Sequence, residues 1–231
     1  IRFYYLMGEN GILIGIALAH THLIIHIIKS IKNSKINFNL IKERKKFVIN
    51  NFLISISGTV YGSVDKLLIV PLIGFAVLGN YSLGLQFYAL LHLLPAMTVK
   101  YFIGQDISKV QNKKLKRIVI LMSIGIAVLG TTVAPSIISS VFPKFIEAAD
   151  IIRIISWTLV PATIQATYYL PKFWAAEKNN LVLITTVINS SSQILGILIL
   201  GTLYGAIGTA LSMVISNVCG LIFTATISKF F

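Results

Sequence analysis

The chain is short of charge and shorter still of acid. Charged residues make up 12% of its 231 positions, and Asp and Glu together number 7 against 20 Lys and Arg. A soluble domain carries about 25% charged and about 45–50% apolar residues. Here 56% are hydrophobic and the mean hydropathy is +0.85. Too few polar side chains remain to cover a water-soluble surface of this size, which excludes that class. Cys219 is the one cysteine, so no disulfide can form within the chain, and no Cys/His spacing of a zinc site is present. Gly-rich phosphate loops, nucleophile elbows and paired carboxylates on a polar loop are also missing. The chain therefore offers no catalytic constellation and no nucleotide-driven motor, and no cofactor or metal is expected. Ile1 opens the chain in mid-pattern, so it is read as lacking its natural N-terminus, and the want of a signal peptide carries no meaning.

What is abundant is long apolar runs. A bilayer-spanning helix needs about 20 predominantly apolar residues. Seven runs fit, at residues 11–28, 47–73, 79–103, 116–142, 148–174, 180–201 and 204–228. They are too long for strands and lack the alternation of a membrane β-barrel. The expectation is an all-α, polytopic transmembrane bundle of about seven spans.

The basic residues test that count separately. The break after the first run holds Lys29, Lys32, Lys35, Lys42, Arg44, Lys45 and Lys46. The break after the third, with its flanks, holds Lys100, Lys109, Lys113, Lys114, Lys116 and Arg117. Lys172 and Lys178 follow the fifth run, and Lys229 lies in the tail. Only Arg2, Lys66, Lys144 and Arg153 fall toward the opposite ends. Alternation with every span is the positive-inside pattern, which places the basic breaks and the C-terminus in the cytoplasm of a cell-membrane protein. The net charge of +13 then orients the protein and meets anionic lipids; it does not point to nucleic acid. The intervening breaks (GFAVLG, FPKFIEA, GTLYG) are too short for an extracellular domain. Residues 30–46 form the one long break, read as a basic cytoplasmic linker between two helical halves.

Several polar residues interrupt the apolar runs. Asp65 and Lys66 lie inside the second span, where an ionisable group is costly and usually faces a bundle interior or a wet cavity. Adjacent helical residues point about 100° apart, so the two cannot both face lipid comfortably. Either both sit near the outer interface, or Asp65 lines a cavity and helps hold a polar substrate group. Glu147, Asp150 and Arg153 stand at i, i+3 steps on one helical face. They form either a local ion-paired cap or a cleft in which Arg153 attracts an anion such as a diphosphate, to which a guanidinium fork is well matched. Gln86, Gln165, Asn189, Gln193 and Asn217 lie deeper, with Tyr61, Tyr88, Tyr168 and Tyr169. Each alone can serve helix–helix hydrogen bonding; together they imply a polar interior. His22 and His26 share a face of the first span, but no third metal ligand lies near them in sequence. Pro71, Pro95, Pro135 and Pro161 fall in spans two to five, where proline frees a carbonyl and bends the helix.

With these residues in place, a likeness emerges. The stretch SGTVYGSVDKLLIVPLIGFAVLGNYSLGLQFYALLHLLPAM resembles the seventh and eighth helices of polysaccharide-biosynthesis membrane proteins. Those are the oligosaccharide (O-antigen type) flippases of the multidrug/oligosaccharidyl-lipid/polysaccharide exporter superfamily. Asp65, Leu78, Gly79, Tyr81 and Ser82 match the family pattern. FPKFIEAADIIRIISW resembles the turn into its tenth helix, through Ala148 and Ala149, and GTLYGAIGTALSMVISN its last helix, through Gly205, Gly208 and Ala210. The resemblance runs over residues 45–228. It implies two six-helix halves. Residues 1–29 would be the last helix of the missing N-terminal half, 30–46 the linker, and 47–231 the C-terminal six-helix half. It further implies transport, not enzymology: a lipid-linked oligosaccharide of the polyprenyl diphosphate type flipped by alternating access between the halves. Its substrate-contact candidates here are Asp65, Lys66 and Arg153, with Gln86, Gln165, Asn189 and Gln193 lining the path. A cation-coupled drug antiporter of the same superfamily is the first rival, resting on Asp65. A polytopic glycosyltransferase is the second, and the want of loop carboxylates weighs against it.

Overall fold

A computed structural model describes residues 38–108 and 112–230, together with Leu18 and Ile28 as helical positions. The expected first span, with His20, His22 and His26, and the first part of the 30–46 stretch otherwise lie outside the described residues. The chain divides into two compact units, Ile1–Lys45 and Lys46–Phe231. In the first, α1 (Phe38–Glu43) is helical, and Lys45 opens the next helix. The described part of the stretch expected as a loop is thus helical. Leu40, Ile41, Lys42 and Glu43 are unbroken by Gly or Pro, and most of them are good helix formers.

From Lys45 on, the described residues form six helical rods. They are α2 (Lys45–Ile73); α3 (Phe75–Ile107); α4 (Lys113–Thr132) running on as α5 (Ala134–Val141); a broken rod of α6 (Ala148–Ile155), α7 (Leu159–Ile164) and α8 (Leu170–Ala175); α9 (Asn179–Gly196); and α10 (Thr202–Ile227). Their bounds follow the expected spans two to seven within a few residues. No strand occurs among the described residues. Among the described residues three helical runs are long and apolar enough to cross a membrane, or four if the bent pair in α3 is one span. One of the three, Asn179–Phe230, is 52 residues long but contains a reversal. Gly205 adopts φ 57°, ψ −131°, a conformation glycine tolerates and L side chains resist. Gly196 packs on Ser212 and Gly208 on Leu200, so the chain doubles back into a hairpin of two antiparallel arms.

Proline explains most of the breaks. α3 bends by 41° between Leu93 and Ala96, across Pro95. Pro135 sits at the start of α5, where its missing N–H costs nothing. In the fifth rod a 3₁₀ turn (Ser156–Thr158) precedes Pro161, and a π-turn (Gln165–Tyr169) precedes Pro171. Pro71 lies in the last turn of α2 and leaves it continuous.

The core follows the reversals. Ile69, Tyr81, Ile151, Ile155, Ala210 and Met213 join α2, α3, α6 and α10. Ala134, Ile138, Ala148 and Ile152 join α5 to α6. The outer surfaces are apolar: Leu67, Leu90, Leu121, Leu195 and Leu203 are each more than half exposed. In lipid that surface is satisfied, whereas in water it would be an aggregation site. Backbone polarity is handled inside the helices, and most hydroxyls join in. Thr163, Thr185, Ser190 and Thr224 each donate to the carbonyl one turn back.

Candidate functional site

Asp65 is the acid that the second span carries deepest, and it is 3% exposed. α2 is otherwise mostly exposed, and it meets the bundle where Ile69 packs in one core cluster with Tyr81 of α3. The Lys66 amide donates to Asp65 Oδ1 at 2.8 Å. The Tyr81 phenol, itself fully buried, comes from α3 and interacts with the same carboxylate. Ile69, one turn on and fully buried, packs in the same cluster as Tyr81. Lys66 is exposed, so the two neighbours diverge as their helical spacing requires.

The deeper amides fall in two places. Asn189 and Gln193 are one turn apart on α9 and face α10; a Cβ built on Gly220 would lie 1.8 Å from Asn189 Oδ1. Gln193 is buried with Oε1 lacking a partner, and Asn189 Oδ1 is likewise unpartnered. Gln165 opens the π-turn of the fifth rod, buried, with Nε2 unpartnered. Hydroxyls can return their hydrogen bond to their own helix, but a primary amide has more donors and acceptors than one helix supplies. Orphaned buried amide atoms of this kind mark places where water or a ligand is due. Gln86 is exposed on α3.

At the Gly74 and Gly205 end, Asn80 Nδ2 donates to Glu147 Oε2 at 2.9 Å, tying α3 to α6. Glu147 and Asp150 line a cleft of about 340 Å³ with Val77, Tyr204, Ala206 and Ile207. Arg153 donates to Asp150 Oδ1 at 2.8 Å, with both side chains more than half exposed. This is the local ion pair of the two readings left open above. Arg153 is not among the residues lining the cleft.

The fold thus joins Asp65 to Tyr81 and sets Asn189 one turn from Gln193. Gln86 is exposed, Arg153 pairs with Asp150, and none of Asp65, Gln86, Gln165 and Arg153 lines the cleft at Glu147. Among the described residues no group of three His, Cys, Asp or Glu side chains could hold a metal ion.

Two features escaped the sequence. Lys116, counted as a loop cation, is 3% exposed in the first turn of α4. Its Nζ lies 5.3 Å from the Phe102 ring centroid and 5.6 Å from that of Tyr168, pinning α3, α4 and the π-turn together. The signal was present: Lys116, Val119, Ser123, Ala127 and Gly130 keep helical spacing on one buried face. The Asn80–Glu147 pair left no such trace, since its members are 67 residues apart.

These features define a class: an all-α bundle whose long apolar helices suit a membrane. Among solved structures, the chain is similar to "Lipid II flippase MurJ, inward closed conformation". The TM-score is 0.78 and the identity 19%, over 99% of this chain and 52% of that one. The chain therefore spans about half the length of that flippase, and the likeness establishes fold. No protein-family model matches the chain. No curated protein matches it.

Proposed function

We propose that the chain is the C-terminal half of a membrane transporter that flips a lipid-linked oligosaccharide across the cytoplasmic membrane by alternating access, for polysaccharide or glycan assembly. The observation that carries this is the likeness of nearly the whole chain to half of a lipid II flippase. In this reading the basic turns and the C-terminus face the cytoplasm. The missing N-terminal half closes the other side of a hydrated path, and the polyprenyl diphosphate tail stays in lipid. Asp65 and Lys66 stand where α2 meets the bundle, and Arg153 stands at the opposite end from the basic turns. They serve the charged head of the substrate, with Gln86, Gln165, Asn189 and Gln193 offering hydrogen bonds to sugars or water. No bond is made or broken, so the chain is not an enzyme.

The test is translocation by the full-length protein in proteoliposomes. A polyprenyl diphosphate lipid bearing a fluorescent sugar is challenged with a membrane-impermeant quencher. Quenching of the whole lipid pool supports the reading; quenching of the outer-leaflet share alone, as in empty vesicles, defeats it.

Burial of Asp65 against Tyr81 favours a second reading, cation-coupled antiport of a small molecule. Sodium- or proton-driven uptake of a small cationic dye, lost in Asp65→Asn, would select it over the first.

A further inference from the structure

The outward face of α4 has a composition that the transport reading does not use. α4 has two faces. Lys116, Val119, Ser123, Ala127 and Gly130 are buried against the bundle. At about 100° per residue, Lys114, Ile118, Leu121, Gly125 and Val128 fall on the opposite side within about 40° of a common line. All five are exposed, Leu121 to 66%. Lys113 and Arg117 flank Lys114 and are exposed as well, and no acidic residue shares this first turn. A cationic end is therefore continuous with an apolar strip on one helix.

The strip is interrupted once. A Cβ built on Gly125 would meet nothing within 4 Å. Leu121, Met122 and Leu129, all exposed, stand around it and leave a notch in the surface. From Lys114 to Gly125 is eleven residues, or about 16 Å along the axis. That is the reach of much of an acyl chain measured from its headgroup.

We propose that this face is a binding site for an anionic membrane lipid. Lys113, Lys114 and Arg117 hold the phosphate-bearing headgroup, and one acyl chain runs along Ile118 and Leu121 into the Gly125 notch. A soluble anion would use the cations and leave the strip empty, whereas an amphiphile satisfies both. General positive-inside attraction would use the cations without the notch. The inference rests on the membrane bundle alone and is independent of what the protein transports.

Native mass spectrometry of the full-length protein in detergent tests it, titrating phosphatidylglycerol against phosphatidylcholine of the same chains. Three cations contribute roughly a hundredfold preference before screening and at least about tenfold after it. The triple variant Lys113→Gln, Lys114→Gln, Arg117→Gln is expected to lose that preference. Gly125→Leu fills the notch. It is expected to weaken long-chain phosphatidylglycerol about tenfold and to leave the dihexanoyl lipid unchanged. A triple variant that keeps the preference, a Gly125→Leu variant that binds the long-chain lipid as before, or displacement by equimolar inorganic phosphate each overturns the proposal. Should the triple variant fail to give a monodisperse protein, Lys114→Gln alone reads the headgroup arm.

Discussion

Gly208 is the position at which one methyl group should do most harm. Its Cβ would lie 1.8 Å from the Leu200 carbonyl oxygen, 2.4 Å from its carbon and 3.0 Å from the Gly201 nitrogen. Carbon–oxygen contacts settle at roughly 3.3 Å or more, so the hairpin arms would have to part by about 1.5 Å. The obstacle is backbone and cannot rotate away. Overpacking usually costs about 1–3 kcal/mol, and a backbone obstacle places Gly208→Ala at the upper end, about 3 kcal/mol. At about 2–4 °C per kcal/mol for a chain of this size, the melting midpoint should fall by roughly 6–12 °C. The neighbours give a graded series. Gly196→Ala meets Ser212 Cβ at 2.6 Å and Cα at 3.1 Å, which no rotation removes, and should cost less only because the approach is less close. Gly220→Ala meets the Asn189 amide, which can turn. Gly104→Ala meets nothing within 4 Å and should gain up to about 1 kcal/mol from helix propensity. The assay is thermal unfolding in one detergent at one scan rate, followed by loss of the monodisperse peak. A Gly208→Ala protein melting with the parent, or below Gly104→Ala by less than a degree, would refute the hairpin packing.

Other outcomes follow from the same geometry. Among the described residues Glu177 is the non-glycine residue with positive φ, 54°, and closes a Schellman turn in which the Lys178 amide donates to Phe173 O and the Glu177 amide to Trp174 O. Glu177→Gly should raise stability by about 1 kcal/mol, read in the same melt. Arg153→Ala removes an exposed ion pair, so the melt should move by less than about 0.5 kcal/mol. If Arg153 serves the substrate head, transport in that variant should nonetheless fall. Tyr81→Phe removes the buried phenol's interaction with Asp65 and should cost about 1 kcal/mol. Asp65→Asn should insert and fold yet lower translocation, and an unchanged rate in proteoliposomes would remove Asp65 from the path.

The rods were legible because their causes are local. Apolar runs of bilayer length, separated by Gly74, the 108–112 break and Gly205, carry their own boundaries, and Pro95 marks the bend in α3. Where the reading fell short, the cause was tertiary. Residues 38–46 read as loop because their charge was weighed above their helix propensity. Arg153 could be placed on a face with Asp150, but only the packed bundle decides whether that face meets a neighbour or solvent. Lys116 was miscounted because a basic break was treated as uniformly exposed, although its phase with Val119 and Ser123 turns it inward. The π-turn that exposes the Gln165 amide to the core depends on Pro171 and on Tyr168 meeting Lys116, a contact 52 residues distant that no local pattern encodes.

Everything rests on rods that cross a membrane with their basic turns on one side. In a Cys219→Ser background, single cysteines at Asn112 and Lys178 and at Lys144 and Leu203 can be probed in intact cells with an impermeant thiol reagent. Labelling of Lys144→Cys and Leu203→Cys from outside, with Asn112→Cys and Lys178→Cys reached only after the membrane is opened, is the predicted result. Labelling of Asn112→Cys together with Lys144→Cys from the same side of a sealed membrane would contradict the account.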